Sequence, residues 1–488
     1  MSAKFENNNL IVLNPLSKEE LKSIPLSSDI DINQIIKKSK IDDSWSLLSV
    51  NKRVSLINNY RKALVKNKNK IHNVIKSETG KIDFDITIEI FTSLDHLKQI
   101  SKIAKKALKL QKRSSGLMKT KKAYVKYEPL GVAAVISPWN YPLATPLIAS
   151  VEALLAGNNV VLKPSEHTPL TSLLLKKIWD KYIGYENTFQ ILIGGAHVGK
   201  QLVNDNNIDI VCFTGSSVVG KVIAKQCAET LKPCILELGG KDPMIVLNDA
   251  NIKRAVESAV FGGFSNAGQT CISTEELYVE DQIYEKFVND ISARIKNLKS
   301  GLNGDYSTMI VDDNAKKVNK HIDDARSNCQ IIEGKSDDKN IFITPTLVLE
   351  PNEDSLIVNE ETFGPVISVR KFNNEDDLIQ KVHKTGYGLS SSIFGRDKKR
   401  IDSIVKKLKI GTVSINDVLT HYGIASIPFG GEGLSGIGRM HGKEGLRSLS
   451  RTKSIVINRF NFINEIWWIG RSKKIENLLN KAIDLLFK

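Results

Sequence analysis

Cys271 is a candidate nucleophile. It ends a stretch of small residues, Asn-Ala-Gly-Gln-Thr-Cys over 266–271, which lets another molecule approach the backbone closely. A cysteine thiolate attacks carbonyl carbons, so covalent catalysis through sulfur is open to this position. A cysteine taken alone is more often an inert packed residue. The assignment therefore depends on the residues that accompany it.

Glu237 is a candidate general base. It lies between Leu236 and Leu238 and precedes two glycines, which places a carboxyl group at a strand end among apolar neighbours. Such surroundings raise a carboxyl pKa towards neutrality, as general-base catalysis requires. The alternative is a structural carboxylate held in a salt bridge.

Asn140 is a candidate oxyanion ligand. It lies in the segment Ile-Ser-Pro-Trp-Asn-Tyr-Pro over 136–142, where two prolines restrict the turn. A side-chain amide fixed in this way can donate a hydrogen bond to a developing oxyanion. The alternative is an asparagine that stabilises its own turn.

Short apolar runs alternate with helix-like segments and predict the elements that position these residues. Fully apolar strands between helices indicate an α/β fold with a parallel sheet covered on both faces, which binds ligands at the carboxyl ends of its strands. Asn140, Lys163 and Gly215 follow the first, second and fourth of these strands. The predicted strands are Val132–Ile136, Val160–Leu162, Phe189–Ile193, Ile210–Phe213 and Ile235–Leu236.

The remaining segments complete a two-domain prediction. Residues 31–110 read as mainly helical, and a helix over Pro146–Ala156 ends at Gly157. A further helix begins with Thr168 as N-cap and Pro169 at the first helical position. A second series of strands and helices starts at Met244–Leu247, so the domain border is expected near Leu238–Gly240.

Composition narrows the class of protein. The net charge of +15 comes from lysines spread along the chain, which favours a solvated surface over a nucleic-acid interface. The five cysteines form no CxxC pair, so a reducing compartment without disulfides is expected, and no metal site is predicted. No signal peptide or spanning apolar run is found, and a cytoplasmic location is expected.

Seven ordered motifs resemble those of the aldehyde dehydrogenase superfamily. The resemblance spans about Val132 to Leu446 and extends more loosely to the helical N-terminus. The motifs are Trp-Asn at 139–140, Lys-Pro-Ser-Glu at 163–166, Phe-Thr-Gly-Ser at 213–216, Glu-Leu-Gly-Gly at 237–240, Gly-Gln-Thr-Cys at 268–271, Glu-Thr-Phe-Gly-Pro at 361–365 and Pro-Phe-Gly-Gly at 428–431.

The resemblance implies a Rossmann-type cofactor domain, a second α/β catalytic domain and a small oligomerisation element in a homodimer or homotetramer. The implied divisions are an NAD-binding domain over 1–116 and 135–238, a catalytic domain over 239–445, oligomerisation strands over 117–134 and 446–460, and an amphipathic extension over 461–488.

The resemblance also implies oxidation of an aldehyde to a carboxylic acid. Cys271 would form a thiohemiacetal, whose oxyanion is held by the Asn140 side chain and the Cys271 N–H. Glu237 would then activate the water that hydrolyses the resulting thioester. A coenzyme A-acylating or semialdehyde-specific dehydrogenase remains an alternative, as does a catalytically idle protein of the same fold; Glu237 argues against acylation of coenzyme A.

The cofactor implied by the resemblance is NAD, with NADP possible. Ser216 would meet the pyrophosphate at a helix N-terminus, and Lys163 and Glu166 would hold the adenosine ribose, where a carboxylate disfavours a 2′-phosphate. Glu361 would hold the nicotinamide ribose, with Phe363 beside the ring. The full set of expected cofactor-binding residues is Trp139, Lys163, Glu166, Gly215, Ser216, Gly239, Glu361 and Phe363.

Two departures from the family pattern bear on the substrate. Glu276 follows the cysteine where many relatives carry arginine, and Ala149 stands where many carry lysine. The aldehyde itself depends on tunnel walls from loops such as Asp417–Ala425, which sequence alone does not define.

A C-terminal extension follows the family body. It is expected to dock against a partner subunit, and the alternative is peripheral membrane attachment, because tryptophans beside a basic amphipathic helix suit a lipid interface. The extension contains Phe460, Phe462, Ile466, Trp467, Trp468 and Ile469, followed by a helical stripe of Ile475, Leu478, Leu479, Ala482, Ile483 and Leu486.

Overall fold

The computed structural model describes residues 2–338, 341–460, 465, 467–470 and 472–488. Helices and parallel sheets alternate, which confirms the predicted α/β class. The helices are α1 Asp29–Ile41, α2 Val50–Lys66, α3 Lys68–Thr79, α4 Asp83–Ala107, α5 Ala144–Ala156, α6 Pro169–Tyr182, α7 Ala196–Asn204, α8 Ser217–Glu229, α9 Ile252–Phe264, α10 Asp281–Asn297, α11 Asp312–Asn328, α12 Leu356–Asn359, α13 Glu375–Lys384, α14 Lys398–Lys407, α15 Gly442–Ser448 and α16 Lys473–Phe487.

The described strands fall into two larger sheets, of six and seven strands, and four small sheets of two or three strands. They are β1 Ala3–Glu6, β2 Asn9–Leu13, β3 Glu20–Pro25, β4 Gln111–Arg113, β5 Lys121–Pro129, β6 Val132–Ile136, β7 Asn159–Lys163, β8 Phe189–Ile191, β9 Ile210–Thr214, β10 Cys234–Glu237, β11 Asp242–Val246, β12 Thr274–Glu280, β13 Lys299–Ser300, β14 Gln330–Glu333, β15 Lys335–Ser336, β16 Thr346–Leu349, β17 Val366–Phe372, β18 Tyr387–Gly388, β19 Ser390–Phe394, β20 Thr412–Ile415, β21 Glu432–Gly433, β22 Gly436–Ile437 and β23 Ser450–Asn458.

A six-stranded sheet contains all five strands predicted first, in the order β22-β10-β9-β6-β7-β8. The five predicted strands are parallel to their neighbours, and only β22 is antiparallel. The chain starts in the centre at β6, adds β7 and β8 on one side, and then adds β9 and β10 on the other. In such sheets the ligand crevice lies at the carboxyl ends where the strand order reverses, here between β6 and β9.

A seven-stranded sheet follows, in the order β14-β16-β17-β12-β11-β19-β20. The strand predicted at Met244–Leu247 is its β11, shifted by one or two residues. The chain therefore leaves one sheet after Glu237 and enters the other at Asp242, across the two glycines. The division into cofactor and catalytic domains remains a prediction.

The predicted helices form, but the N-terminus of α6 is capped by a side chain from another helix. Gly157 ends α5 in the left-handed conformation with φ of 101°, as expected. Pro169 begins α6 and Thr168 holds the N-cap position, but its side chain makes no cap hydrogen bond. The Glu78 carboxylate instead accepts from the N–H groups of Leu170 and Thr171. A cap from another helix leaves no local sequence signal.

The residues divide into two compact units. The larger extends to Leu108 and resumes over Glu128–Arg451, and it holds both large sheets and an unpredicted antiparallel sheet, β1-β2-β3.

The smaller unit comprises Lys109–Tyr127 and Thr452–Lys488. Most of β23 and β5 pair there beside β4, and α16 carries the predicted apolar stripe without a buried side chain. Phe462 and Ile466 lie outside the described residues. Among the described helices, none is both long and apolar enough to cross a bilayer.

Candidate active site

A cavity of about 670 Å³ in the larger unit lies at the carboxyl ends of β6, β9 and β10. The second sheet contributes the segments around residues 270–272 and 361–363 to its wall. Two predicted site residues, Lys163 and Glu166, do not line it. The predicted site residues that do line it are Trp139, Asn140, Gly215, Ser216, Glu237, Gly239, Cys271, Glu361 and Phe363.

A left-handed turn carries Cys271 into the cavity. Asn266, Ala267 and Gly268 follow α9 with φ of 53°, 56° and 68°. A Cβ on Gly268 would lie 2.1 Å from the Gly364 carbonyl oxygen, so only glycine fits there. A residue with a side chain held in this region costs about 1–3 kcal/mol, which the surrounding contacts must offset.

Gln269 supplies part of that support. Its side-chain amide donates to the Asn266 carbonyl oxygen over 2.9 Å and accepts from the Ile310 N–H over 2.9 Å. The residue is buried, so both bonds are protected from water. Sequence reasoning did not identify this role, because Ile310 is remote in the chain.

Asn140 is tied to the Cys271 loop and not to its own turn. Its Nδ2 donates to the Gln269 carbonyl oxygen over 3.0 Å. The Asn266 Nδ2 donates to the same oxygen and to the Asn140 carbonyl oxygen, over 3.1 and 3.2 Å. An amide nitrogen carries two N–H groups, so one remains for another acceptor. The geometry therefore favours an oxyanion ligand over a turn-stabilising asparagine.

Glu237 ends β10 and is buried beside the cavity. Neither carboxyl oxygen has a hydrogen-bond partner among the described residues, so the salt-bridge alternative finds no support. Burial raises the pKa of Glu237 well above its ordinary value, and the charge of Arg439 only partly opposes this. Gly430 allows the close approach, because a Cβ there would lie 3.0 Å from Glu237 Oε1.

The Cys271 thiol is protonated in this environment. Burial raises its pKa, and the carboxyl groups of Asp242, Glu237 and Glu361 add to the effect. A thiolate at this position would therefore have to be formed with the help of a base near the sulfur.

Another group of cavity-lining residues has features suited to a nicotinamide cofactor. The rings of Trp139 and Phe363 meet edge to face at 5.6 Å. Glu361 Oε1 accepts from the Gly240 N–H over 3.0 Å, and a Cβ on Gly239 would lie 2.5 Å from that carboxyl oxygen. Burial raises the pKa of Glu361 to about 7. An aromatic pair, a carboxyl group and a glycine surface fit a ring and its ribose.

Ser216 and the Lys163–Glu166 pair lie where the sequence placed them. Ser216 is the N-cap of α8, and its hydroxyl accepts from the Val219 N–H over 3.4 Å. Lys163 ends β7 and pairs with Glu166 over 3.4 Å. Burial lowers the pKa of Lys163. This pair follows the carboxyl end of β7 and does not line the cavity.

Glu275 positions the 361–363 loop, a role that was not predicted from the sequence. Its carboxylate accepts from the N–H groups of Thr362 and Phe363 and pairs with Lys241 over 2.7 Å. The adjacent Glu276, noted as a departure, instead pairs with buried Arg370 over 2.6 Å and does not line the cavity. The departure at Ala149 does line it.

A buried cluster contains His441, which lines the cavity, together with His96 and Glu152, which do not. Glu152 Oε1 lies 2.8 Å from His96 Nε2, and Oε2 accepts from the His441 N–H over 3.0 Å. Potential metal-ligating atoms of the three lie within 4.8 Å of one another. Burial lowers the pKa of His441 well below its ordinary value, so this ring is neutral. The cluster joins α4, α5 and the segment before α15.

Comparison with known proteins identifies the family. The sequence matches the family model described as the Aldehyde dehydrogenase family over residues 3–455. It is 32% identical over 449 residues to a putative NADP(+) succinate-semialdehyde dehydrogenase 2 of Mycobacterium tuberculosis, covering 90% of this chain and 86% of that relative. It is 33% identical over 469 residues to the 4,4'-diapolycopene aldehyde oxidase of a Methylomonas species, covering 95% and 88%.

Solved structures agree with these relatives. A point variant of betaine aldehyde dehydrogenase from Staphylococcus aureus, crystallised with NAD+ and a β-mercaptoethanol-modified cysteine, has a TM-score of 0.88 at 29% identity and covers 94% of this chain and 96% of its own. An NADP dependent enzyme of E. coli has a TM-score of 0.86 at 29% identity and covers 92% and 95%. The chain belongs to the aldehyde dehydrogenase family, and it is an NAD(P)-dependent enzyme that oxidises aldehydes.

Proposed function

We propose that Cys271, Asn140 and Glu237 together oxidise an aldehyde to its carboxylic acid. The observation that carries the proposal is the convergence of a thiol, an amide donor and an unpartnered carboxyl group on one cavity. Asn140 is bonded directly to the backbone of the cysteine loop. The amide donor and the loop that carries the thiol are therefore held together.

The first step forms a carbon–sulfur bond. Glu237 first releases its own proton to solvent, and the resulting carboxylate then accepts the Cys271 proton, directly or through a water molecule, as the sulfur attacks the carbonyl carbon. The resulting oxyanion of the thiohemiacetal accepts from the remaining Asn140 N–H and from the Cys271 N–H. Each such donor lowers the barrier by about 3 kcal/mol in a dry site.

The second step converts the thiohemiacetal into a thioester. NAD(P), when bound, accepts the two electrons and the hydrogen that leave the former aldehyde carbon. Trp139, Phe363, Glu361 and Gly239 are proposed to hold the nicotinamide end of the cofactor. Gly215 and Ser216 are proposed to receive the pyrophosphate at the N-terminus of α8.

The third step releases the acid. Glu237 passes the proton that it took from the thiol to solvent and then takes a proton from water. The hydroxide attacks the thioester carbon, the carbon–sulfur bond breaks, and the leaving cysteine sulfur is reprotonated by Glu237. This use of Glu237 favours hydrolysis over transfer to coenzyme A. Product analysis with and without coenzyme A distinguishes the two, since an acyl-coenzyme A product would contradict hydrolysis.

Cofactor preference and assembly are also proposals. Lys163 and Glu166 are proposed to hold the adenosine ribose, with NAD preferred over NADP. The domain divisions given above are retained, with β5 and β23 as oligomerisation strands of a homodimer or homotetramer. The C-terminal helix is proposed to dock on a partner subunit, with peripheral membrane contact as the alternative, and the cytoplasmic location stays a prediction.

Replacing Glu237 tests its proposed role as the base that activates water for hydrolysis of the thioester. Glu237→Gln removes the proton acceptor, so steady-state NADH formation from a good aldehyde is expected to fall by about 10²–10⁴-fold. Water can carry the thiol proton to solvent in place of Glu237, but the hydrolytic water loses its base, so mass spectrometry of the quenched variant is expected to show an acyl adduct on Cys271. The control is Glu229→Gln on the exposed face of α8. Turnover of Glu237→Gln at the unmodified rate would contradict the proposal.

A further inference from the structure

The cavity wall next to Cys271 is hydrocarbon. Ile272, Leu389 and Phe429 form a buried apolar cluster, and Cys271, Leu419 and Tyr422 pack against it. Helices α4, α5 and α9 add Ile88, Ile148 and Phe261 to the lining. The reacting carbon of a substrate would therefore be surrounded mainly by aliphatic and aromatic side chains.

Positive charge is absent from this wall. Among the described lining residues, Lys317 is the sole lysine and there is no arginine. Lys317 is on α11 one turn after Asn314, whose side chain donates to the Phe363 carbonyl oxygen over 2.9 Å, so it belongs to the cofactor part of the cavity. His441 is neutral because burial lowers its pKa. A carboxylate on the substrate tail would find no cationic partner.

The two acidic lining residues on α4, Asp85 and Glu89, are engaged by the protein itself. Glu89 accepts from the N–H groups of Leu143 and Ala144 at the start of α5 and pairs with Lys81 over 2.8 Å. Asp85 accepts from the Asn266 N–H, and burial raises its pKa. These groups support the site and are not free to bind a cationic substrate head.

An apolar strip of α4, consisting of Phe84, Ile88 and Phe91, continues from the cavity to the surface. The three residues are spaced by four and three positions, so they share one face of the helix. They are 66%, 37% and 71% exposed, and Ile88 also lines the cavity. A hydrocarbon chain leaving the cavity would meet this strip.

We propose that the site takes aldehydes with long apolar tails and discriminates against carboxylated semialdehydes, an inference that rests on the proposed catalytic role of Cys271. The chain of the aldehyde lies against the hydrocarbon wall and extends towards the apolar strip. The name of the mycobacterial relative describes a carboxylated substrate, so the proposal separates this chain from that relative. Burial of each added methylene is expected to raise kcat/KM by up to about fourfold until the chain reaches the mouth.

A series of aldehydes tests the proposal with the full-length enzyme and both cofactors. kcat/KM is measured for propanal, hexanal, decanal, succinate semialdehyde and betaine aldehyde. The expected order rises from propanal to decanal, with both charged aldehydes below hexanal. A flat or falling series, or a preference for either charged aldehyde, would overturn the inference while leaving the catalytic proposal intact. Lack of NAD(P)H from every aldehyde would instead reject the catalytic proposal.

A lysine introduced at the cavity, compared with a lysine introduced elsewhere on the surface, tests the proposed path of the tail. Ile88→Lys places a cation at the cavity on a partly exposed position, where the fold tolerates it. It is expected to lower kcat/KM for decanal at least tenfold and to raise the ratio of succinate semialdehyde to decanal. The control is Leu47→Lys, which is exposed and does not line the cavity. Equal effects of both variants on the ratio would contradict the proposed path of the tail.

Discussion

Burial keeps Glu237 and Cys271 protonated before substrate binds, because a charge in this cavity would lose its hydration. The same burial makes the Glu237 carboxylate a strong base once its proton has left. With no hydrogen-bond partner among the described residues, the carboxyl group is free to exchange protons with the thiol and with water. One environment thus sets the acid–base behaviour of both groups.

The pKa of Glu361 predicts a pH-dependent cofactor affinity. Burial raises this pKa to about 7, so the group changes from acid to carboxylate between pH 6 and pH 8. Only the carboxylate accepts from both ribose hydroxyls, so the Kd for NAD+ is expected to fall by up to about tenfold as pH rises through this range. Calorimetric titration at each pH measures it. Glu361→Gln should abolish the dependence, and an unchanged dependence in that variant would contradict the assigned role.

Glu166 is expected to set the choice between NAD and NADP. Its carboxylate would repel a 2′-phosphate, so Glu166→Gln should raise the NADP to NAD ratio of kcat/KM, by about tenfold for a partly screened charge. The exposed Glu186→Gln serves as the control. If the ratio is the same in both variants, the adenosine ribose is held elsewhere.

Except for Lys163 and Glu166, the site residues predicted from the motifs line one cavity in the structure, although their assigned roles stay predictions. The motifs did not predict the residues that hold them. Glu275 supports the loop at 361–363, and Gln269 bonds to Ile310, across separations of 87 and 41 residues. Such contacts depend on the packing of two sheets, so a local sequence pattern does not indicate them.

At the scale of elements, the left-handed turn over 266–268 decides where the sulfur lies. The turn reverses the chain after α9, and its polar groups are shared with the Asn140 segment. Displacing the turn would therefore move the nucleophile and the oxyanion ligand together.

Gly268→Ala tests this coupling. The new Cβ would meet the Gly364 carbonyl oxygen at 2.1 Å with φ of 68°, so the free energy of unfolding is expected to fall by about 2–4 kcal/mol and activity to fall with it. Gly184→Ala is the control for backbone strain alone, since its φ is 73° and nothing lies within 4 Å of its Cβ. Denaturant titration compares the two. Equal losses in both variants would mean that contact with Gly364 has no effect.

Local chemistry predicted most elements but not their assembly. Apolar runs located β6 to β10, and Gly157 and Pro169 marked helix ends, because each signal acts within a few residues. The α6 cap by Glu78 and the sheet β1-β2-β3 were not predicted. Both depend on contacts that the tertiary fold makes, and a local sequence pattern does not indicate them.

At the scale of the whole molecule, α16 presents an apolar stripe that no described residue buries. Leu478 and Ile483 are 66% and 55% exposed, and Trp467 and Trp468 are about half exposed. An uncovered apolar surface of this kind marks an interaction site with another chain or with lipid. We expect the apolar stripe of α16 to pack against a partner subunit.

Removal of α16 tests whether its apolar stripe contacts a partner subunit or a lipid surface. A chain ending at Phe460 retains β23 but lacks α16, and we expect it to form a smaller assembly than the full chain by light scattering. Neither form is expected to float with anionic vesicles. Flotation of the full chain alone, with unchanged assembly, would reject subunit docking and support membrane attachment.

The most direct test of the account is the replacement Cys271→Ser. Serine is a much weaker nucleophile at neutral pH, so NADH formation from a good aldehyde is expected to fall by more than about 10³-fold, with the melting temperature and NAD+ affinity retained. Cys234→Ser, which changes a thiol outside the cavity, should keep full activity. NADH formation by Cys271→Ser at the original rate would contradict the proposed mechanism.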